Sequence, residues 1–338
     1  MDTILDTFAC PDGLPCAMCH ASSILPLEGG RLLCAFFGGS MEGSSDTAVY
    51  LSMLDAADGH NLWTRKIAAS DEPHWNPVLF RCADQSLVLI FKAGEFIVFW
   101  RSFIMRSRDG GENWSFPVEL VKGDRCGRGP VRNKPVRLKN GSVACGGSLE
   151  DGEWRAFCDL TTDEFKTLHR SREIRCNPQL LKEACTAPNQ FNLFTGVSTQ
   201  SFAGQGVIQP ALWEDQHGVH MLLRSTIGKV LRSDSGDSGV SWCRPYPVAM
   251  PNNNSGLDVE YLDGILYLVC NPISKSWGAR TPLTLFSSAD GLEFKKILDL
   301  EADLGEYSYP CVRADQGRLY VSYTWKRENI RVRGFVLP

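Results

Sequence analysis

Two short phrases recur along this chain in a fixed order, and that recurrence restricts the fold more than any other feature of the sequence. The first phrase is a turn. "SRDGGENW" (Ser107 to Trp114) and "SGDSGVSW" (Ser235 to Trp242) share the frame Ser-x-Asp-x-Gly-x-x-Trp. Weaker echoes stand at "SSADGLEF" (Ser287 to Phe294), "DAADGHNLW" (Asp55 to Trp63) and "LTTDEFKTL" (Leu160 to Leu168). Gly supplies the positive backbone angles of a tight turn, and an Asp carboxylate accepts hydrogen bonds from backbone N–H groups of its own turn. The phrase therefore reads as hairpin punctuation.

The second phrase is a hairpin that precedes each turn. "HASSILPLEGGRLLCAFFGG", "HWNPVLFRCADQSLVLIFKAG", "NKPVRLKNGSVACGGS", "IQPALWEDQHGVHMLLRS", "SGLDVEYLDGILYLVCNP" and "YSYPCVRADQGRLYVSYTW" follow one grammar. Polar residues, often with Pro, lead into a short apolar strand, a Gly- or Asp-containing turn and a second apolar strand. Helical periodicity is absent except near Pro178 to Ala184, so the chain is all-β. Six four-stranded units of this kind predict a six-bladed β-propeller, whose radial repetition leaves few strand edges exposed, as one domain over residues 1–338. The last unit has room for only three strands. The N-terminal "TILDTFAC" is expected to supply its outer one.

Composition narrows the function classes. With 43% hydrophobic residues in 338 the chain can bury a large core, and a net charge of -4 with pI ≈ 5.9 gives no basic footprint for nucleic acid or an anionic membrane. No apolar run is long enough to span a bilayer, and "MDTILDTFACPDG" lacks the basic start and apolar core of a secretory leader, so a cytoplasmic protein is expected. The 13 Cys are odd in number and scattered through apolar runs, which suits buried thiols. The one tight group, Cys10, Cys16, Cys19 and His20, has no second ligand pair at zinc-site spacing. Neither a metal nor a cofactor is expected.

The Ser-x-Asp-x-Gly-x-x-Trp phrase resembles the Asp-box of sialidases and other bacterial neuraminidase repeat proteins, and the resemblance covers essentially the whole chain. It implies that the boxes lie on outer turns and that function sits where the inner strands begin. Those starts bring His20, His74 and Asn76, Asn133 and Lys134, Gln209, Asn254 with Asp258, and Tyr307 with Tyr309 to one depression. Sialidases hold a sugar carboxylate with three Arg, because guanidinium groups match a carboxylate with paired hydrogen bonds. Arg224 in "MLLRST" and Arg280 in "GARTPLTLF" stand where two of them would, and His20 replaces the first. The same resemblance makes Asp46 in "EGSSDTAVYLS" the acid/base, with Glu42 a second carboxylate on that loop, and makes Tyr307 in "GEYSYP" the nucleophile. Gln209 stands where a Glu would serve that Tyr as base, leaving Glu306 or Glu260 as substitutes.

The expectation is an exo-acting, sialidase-like glycoside hydrolase that takes a terminal acidic sugar of a glycan. Two other classes stay open. A uronate lyase would use His20 and His74 to move a proton while Arg224 or Lys134 neutralises the carboxylate. A sugar-binding module without catalysis would use Trp75, Trp100, Trp277 and Trp325 as stacking platforms.

Overall fold

In the computed structural model, which describes residues 1–183 and 204–337, the described residues form mostly short antiparallel strands, with an α-helix at Pro178–Glu183 and a single 3-10 turn at Ile97–Phe99. The first meander comprises Met18–Leu27, Arg31–Gly39, Ala48–Asp55 and Asn61–Ala68. A second follows at His74–Arg81, Leu87–Ala93, Arg101–Ser107 and Val118–Glu119. The third (residues 136–175) and fourth (residues 205–251) are joined into one nine-stranded sheet by a short parallel pairing of Glu153 and Trp154 with Gln205 and Gly206. The fifth runs from Asp258–Leu262 to Lys295–Glu301. The last holds Tyr307–Asp315, Arg318–Trp325 and Asn329–Val336, and Thr3–Phe8 from the N-terminus pairs with its outer edge, as the strand count of the sequence requires.

In the first meander burial falls from the first strand to the fourth. Met18–Leu27 is buried at every position, whereas Asn61–Ala68 is half-exposed along most of its length. This accounts for the unbroken apolar runs in the inner strands and the mixed polarity of the outer ones. Inner strands pack on one another from meander to meander, the first strand of the first unit lying against those of both the second and the last.

The turns behave as the repeated phrase dictates. Ser107 Oγ donates to Asp109 Oδ1 at 2.8 Å, Asp109 accepts the Asn113 backbone N–H at 2.9 Å, and Trp114 Nε1 donates to the Gly111 carbonyl at 2.9 Å. The same bonds recur through Ser235, Asp237, Ser241 and Trp242. Gly111 lies beside Leu33 and Leu87, near the start of the second strands. His20 pairs with Phe37 at the far end of the second strand, so the box and the inner-strand starts occupy opposite ends of the sheet.

One backbone device fixes what reaches the centre. The inner strands are bulged between His20 and Ser23, Trp75 and Val78, Ile208 and Ala211, and Ser308 and Cys311. Within each bulge one non-Gly residue has positive φ: Ala21 at 55°, Asn76 at 45°, Gln209 at 53° and Tyr309 at 52°. In three of the four the next residue is Pro. Left-handed backbone at such residues costs of order 1–3 kcal/mol and persists only where the surroundings enforce it.

Candidate functional site

Tyr309 is the focus of the charged centre. Its ring lies 5.3 Å from the Arg132 guanidinium carbon, 5.5 Å from that of Arg280 and 5.9 Å from that of Arg224, with the His20 ring centroid 4.3 Å away. Arg224 is almost fully buried on the second strand of the fourth meander. Its Nε donates to Asn254 Oδ1 at 2.8 Å, and its Nη1 donates to the Tyr309 hydroxyl at 2.8 Å and to Gln209 Oε1 at 3.2 Å. The same guanidinium sits over Trp154 at 5.6 Å and Trp277 at 5.7 Å. Arg132 donates to the carbonyls of Tyr309 and Pro310, so it holds the bulge that presents the phenol.

A second chain of charges borders this group. Arg280 Nη1 donates to Glu306 Oε1 at 2.6 Å, Arg327 Nε donates to the same oxygen at 3.0 Å, and Arg327 Nη1 reaches Glu42 Oε2 at 2.6 Å. Burial pushes the Glu306 carboxyl up, but Arg280 and Arg327 outweigh it and hold its pKa at about 2. Four guanidinium groups thus face two carboxylates, an excess of positive charge in a partly dehydrated place that favours an anion.

His20 has no charge to add. Burial, and then the fields of Arg327, Arg280, Arg132 and Arg224, push its pKa well below the ordinary value. Its Nδ1 is 2.9 Å from Thr324 Oγ1 and its Nε2 has no hydrogen-bond partner among the described residues. Asn254 Nδ2, Asn133 Oδ1 and Arg132 Nε are likewise buried and unpartnered. Buried polar atoms normally find partners, and four exceptions at one centre are what a site shaped for a polar ligand shows.

Several residues expected at the centre make contacts outside the charged cluster. Tyr307 is buried among Leu283, Leu300 and Tyr323. The bulge at Tyr309 and Pro310 gives the central position to the second Tyr of the pair and leaves the first in the apolar core. Asp46 is exposed and accepts the backbone N–H and hydroxyl of Ser40, both at 2.9 Å; Glu42 is the residue of its loop that joins the charged chain. His74 has Nδ1 2.9 Å from the Glu72 carbonyl and stacks on Phe91. Lys134 donates to Asp258 Oδ2 at 2.7 Å, and that oxygen also accepts the Val312 N–H at 2.9 Å; both side chains are buried and tie three meanders together. Asn76 and Asn133 donate to the carbonyls of Val131 and Gln209 in the next unit, as spacers between inner strands.

Among the four Trp expected as platforms, Trp277 lies under the Arg224 guanidinium, and Trp75 and Trp100 belong to the core cluster on which Tyr309 packs. Trp75 donates its N–H to Gly94, Trp100 is buried against Trp75, and Trp325 packs on Phe8. Arg132, Trp154 and Arg327 were not singled out from sequence. Arg132 stands two positions before the Lys134-Pro135 start of an inner strand, and that position was the signal available for it.

The backbone is similar to solved structures. Hadza microbial sialidase Hz136 superposes with TM-score 0.72 at 13% identity, over 95% of this chain and 66% of that one. A protein of unknown function from Dyadobacter fermentans gives 0.71 at 14% identity, over 94% and 95%. Trypanosoma rangeli sialidase in complex with sialic acid gives 0.67 at 12% identity, over 94% and 54%. This chain therefore spans about two thirds or less of the two sialidases. No curated protein matches it in sequence. Residues 30–321 match the BNR repeat-like domain, and the protein belongs to that family.

Proposed function

We propose that the six meanders are the blades of a six-bladed propeller, and that the protein is an exo-acting glycoside hydrolase of sialidase type taking a terminal acidic sugar of a glycan. The observation that carries this reading is the convergence of Arg132, Arg224 and Arg280 on the ring of Tyr309. The Trypanosoma rangeli neighbour with sialic acid lends the substrate class. In this reading Arg224 and Arg280 bind the sugar carboxylate, and Arg280 exchanges part of its contact with Glu306 for the ligand. Tyr309, with its hydroxyl on Arg224, meets the anomeric centre and stabilises the oxocarbenium-like charge. Arg132 positions that Tyr. Asp46, on the exposed loop at the same end of the sheet as His20, is the proton donor to the leaving oxygen.

Gln209 shares Arg224 with Tyr309 and offers no base, so Tyr309 acts here through its oxygen's charge density more than as an activated nucleophile. The test is product analysis with aryl sialosides and glucuronosides. A hydrolase releases the saturated sugar with one added water, and Tyr309→Phe lowers that rate at least ~100-fold while Tyr307→Phe leaves it near wild type. An unsaturated sugar points to elimination instead, and unchanged substrate with measurable binding points to a binding module.

A further inference from the structure

His20 adds no charge to the centre, yet its hydrogen bonds give the imidazole a fixed sense. The Thr324 hydroxyl lies 2.9 Å from His20 Nδ1 and accepts the Ala21 backbone N–H at 3.1 Å. An amide N–H only donates, so that bond occupies a lone pair of the hydroxyl and leaves the hydroxyl proton to be placed. Among the described residues the hydroxyl has no other partner than Nδ1. The proton therefore goes to Nδ1, and a neutral imidazole whose Nδ1 accepts carries its own hydrogen on Nε2. The opposite tautomer would leave the hydroxyl proton of a fully buried Thr without an acceptor. The same hydroxyl holds Ala21, the left-handed residue of the inner-strand bulge, so one group sets both the backbone and the ring.

Nε2–H is in turn a donor with no acceptor among the described residues. It is buried, and the Tyr309 and Phe37 rings flank the imidazole with centroids at 4.3 and 5.7 Å. The four charges that act on it most strongly are the guanidinium groups of Arg327, Arg280, Arg132 and Arg224, which donate and do not accept. What satisfies this donor must bring an oxygen lone pair, and the surrounding cations favour an oxygen that carries negative charge.

We propose that His20 donates its Nε2–H to an oxygen of the anion held by the central guanidinium groups, and that Thr324 is the positioning residue that fixes the imidazole in the donating tautomer. The inference rests on the acidic-sugar reading of that centre. A neutral donor there adds direction without adding charge: a ligand oxygen fits, and a ligand N–H meets a second donor and is rejected.

The experiment uses the full chain labelled with 15N at His, with His20 assigned from His20→Phe, which keeps an aromatic ring between Tyr309 and Phe37 and removes the donor. Without ligand, long-range 1H–15N couplings should place the His20 hydrogen on Nε2; Thr324→Val should lose that preference and Thr324→Ser should keep it. Acetate and N-acetylneuraminate are then titrated, and each should move the Nε2–H signal. His20→Phe should bind N-acetylneuraminate about 10- to 100-fold more weakly than wild type, the worth of a hydrogen bond to a charged group, and His20→Gln, which restores an N–H, should recover part of the loss. A ring protonated on Nδ1, or an Nε2–H signal that stays still while N-acetylneuraminate binds, overturns the proposal and leaves the acidic-sugar reading standing wherever the acid binds. An Nε2–H preference that survives Thr324→Val overturns the role of Thr324. If acetate moves the signal and N-acetylneuraminate does not bind, the His20 contact stands and the acidic-sugar reading falls. Binding of neither overturns both.

Discussion

Glu306 offers a quantitative check on the charge arrangement, because one carboxylate oxygen serves both Arg280 and Arg327. The pair of guanidinium groups lowers its pKa from 4.5 to about 2. A depressed carboxylate contributes stability that is fully present above the unfolded-state pKa and is lost as pH falls through the folded-state value. The shift corresponds to roughly 3.4 kcal/mol at neutral pH at full strength, and to about 2 to 3 kcal/mol once solvent screening of a carboxyl at the rim is allowed for. More than half of that is gone by about pH 3. Thermal or urea unfolding of wild type and Glu306→Gln between pH 7 and pH 3 reads the difference directly. Glu306→Gln should be less stable by about 2 to 3 kcal/mol at pH 7, and the gap should narrow to about 1 kcal/mol at pH 3. A gap that stays constant or widens on acidification would refute the claim that Arg280 and Arg327 hold this carboxylate ionised.

Three further outcomes follow from other parts of the molecule. Trp114→Ala should lower stability by roughly 2 to 3 kcal/mol, below the ~3–5 kcal/mol of a fully buried Trp because the ring is only half-buried, and ligand affinity measured by calorimetry on the folded protein should not change. His20, neutral through burial and four neighbouring Arg, should show no imidazole protonation by 15N NMR between pH 8 and pH 5; an ordinary titration in that window would mean the Arg cluster is not where it is described. Lys134→Met should cost about 3–5 kcal/mol by leaving Asp258 a buried unpaired charge. Adding Asp258→Leu should recover most of that loss in a denaturant titration.

The fold was legible because its signals are local and repeated. The Ser107 and Ser235 turns each contain every group that their hydrogen bonds need, and the inner hairpins announce themselves by apolar runs that the burial gradient demands. The site was legible only as a region. Tyr307 and Tyr309 are alike in sequence, and only the bulge before Pro310, a tertiary feature, puts the second at the centre. The bulged residue stands just before Pro at Asn76, Gln209 and Tyr309, so a reading of the X-Pro pairs would have chosen correctly. Lys134 and Asp258 look like ligand-binding charges in a list of strand starts, but 124 positions apart they neutralise each other, a pairing that no local pattern encodes. Arg132 and Arg327 lie in loops without periodicity, where residue type alone does not set direction.

The central claim is that the guanidinium groups around Tyr309 hold a carboxylate. Calorimetric binding of N-acetylneuraminate and of its methyl ester, which differ only in that charge, tests it most directly when wild type is compared with Arg280→Met and Arg224→Met. Wild type should bind the acid about 10- to 100-fold more tightly than the ester, the worth of one charge-assisted contact, and each variant that folds should lose most of that preference. Equal affinity for acid and ester, or a preference that survives both substitutions, would contradict the account.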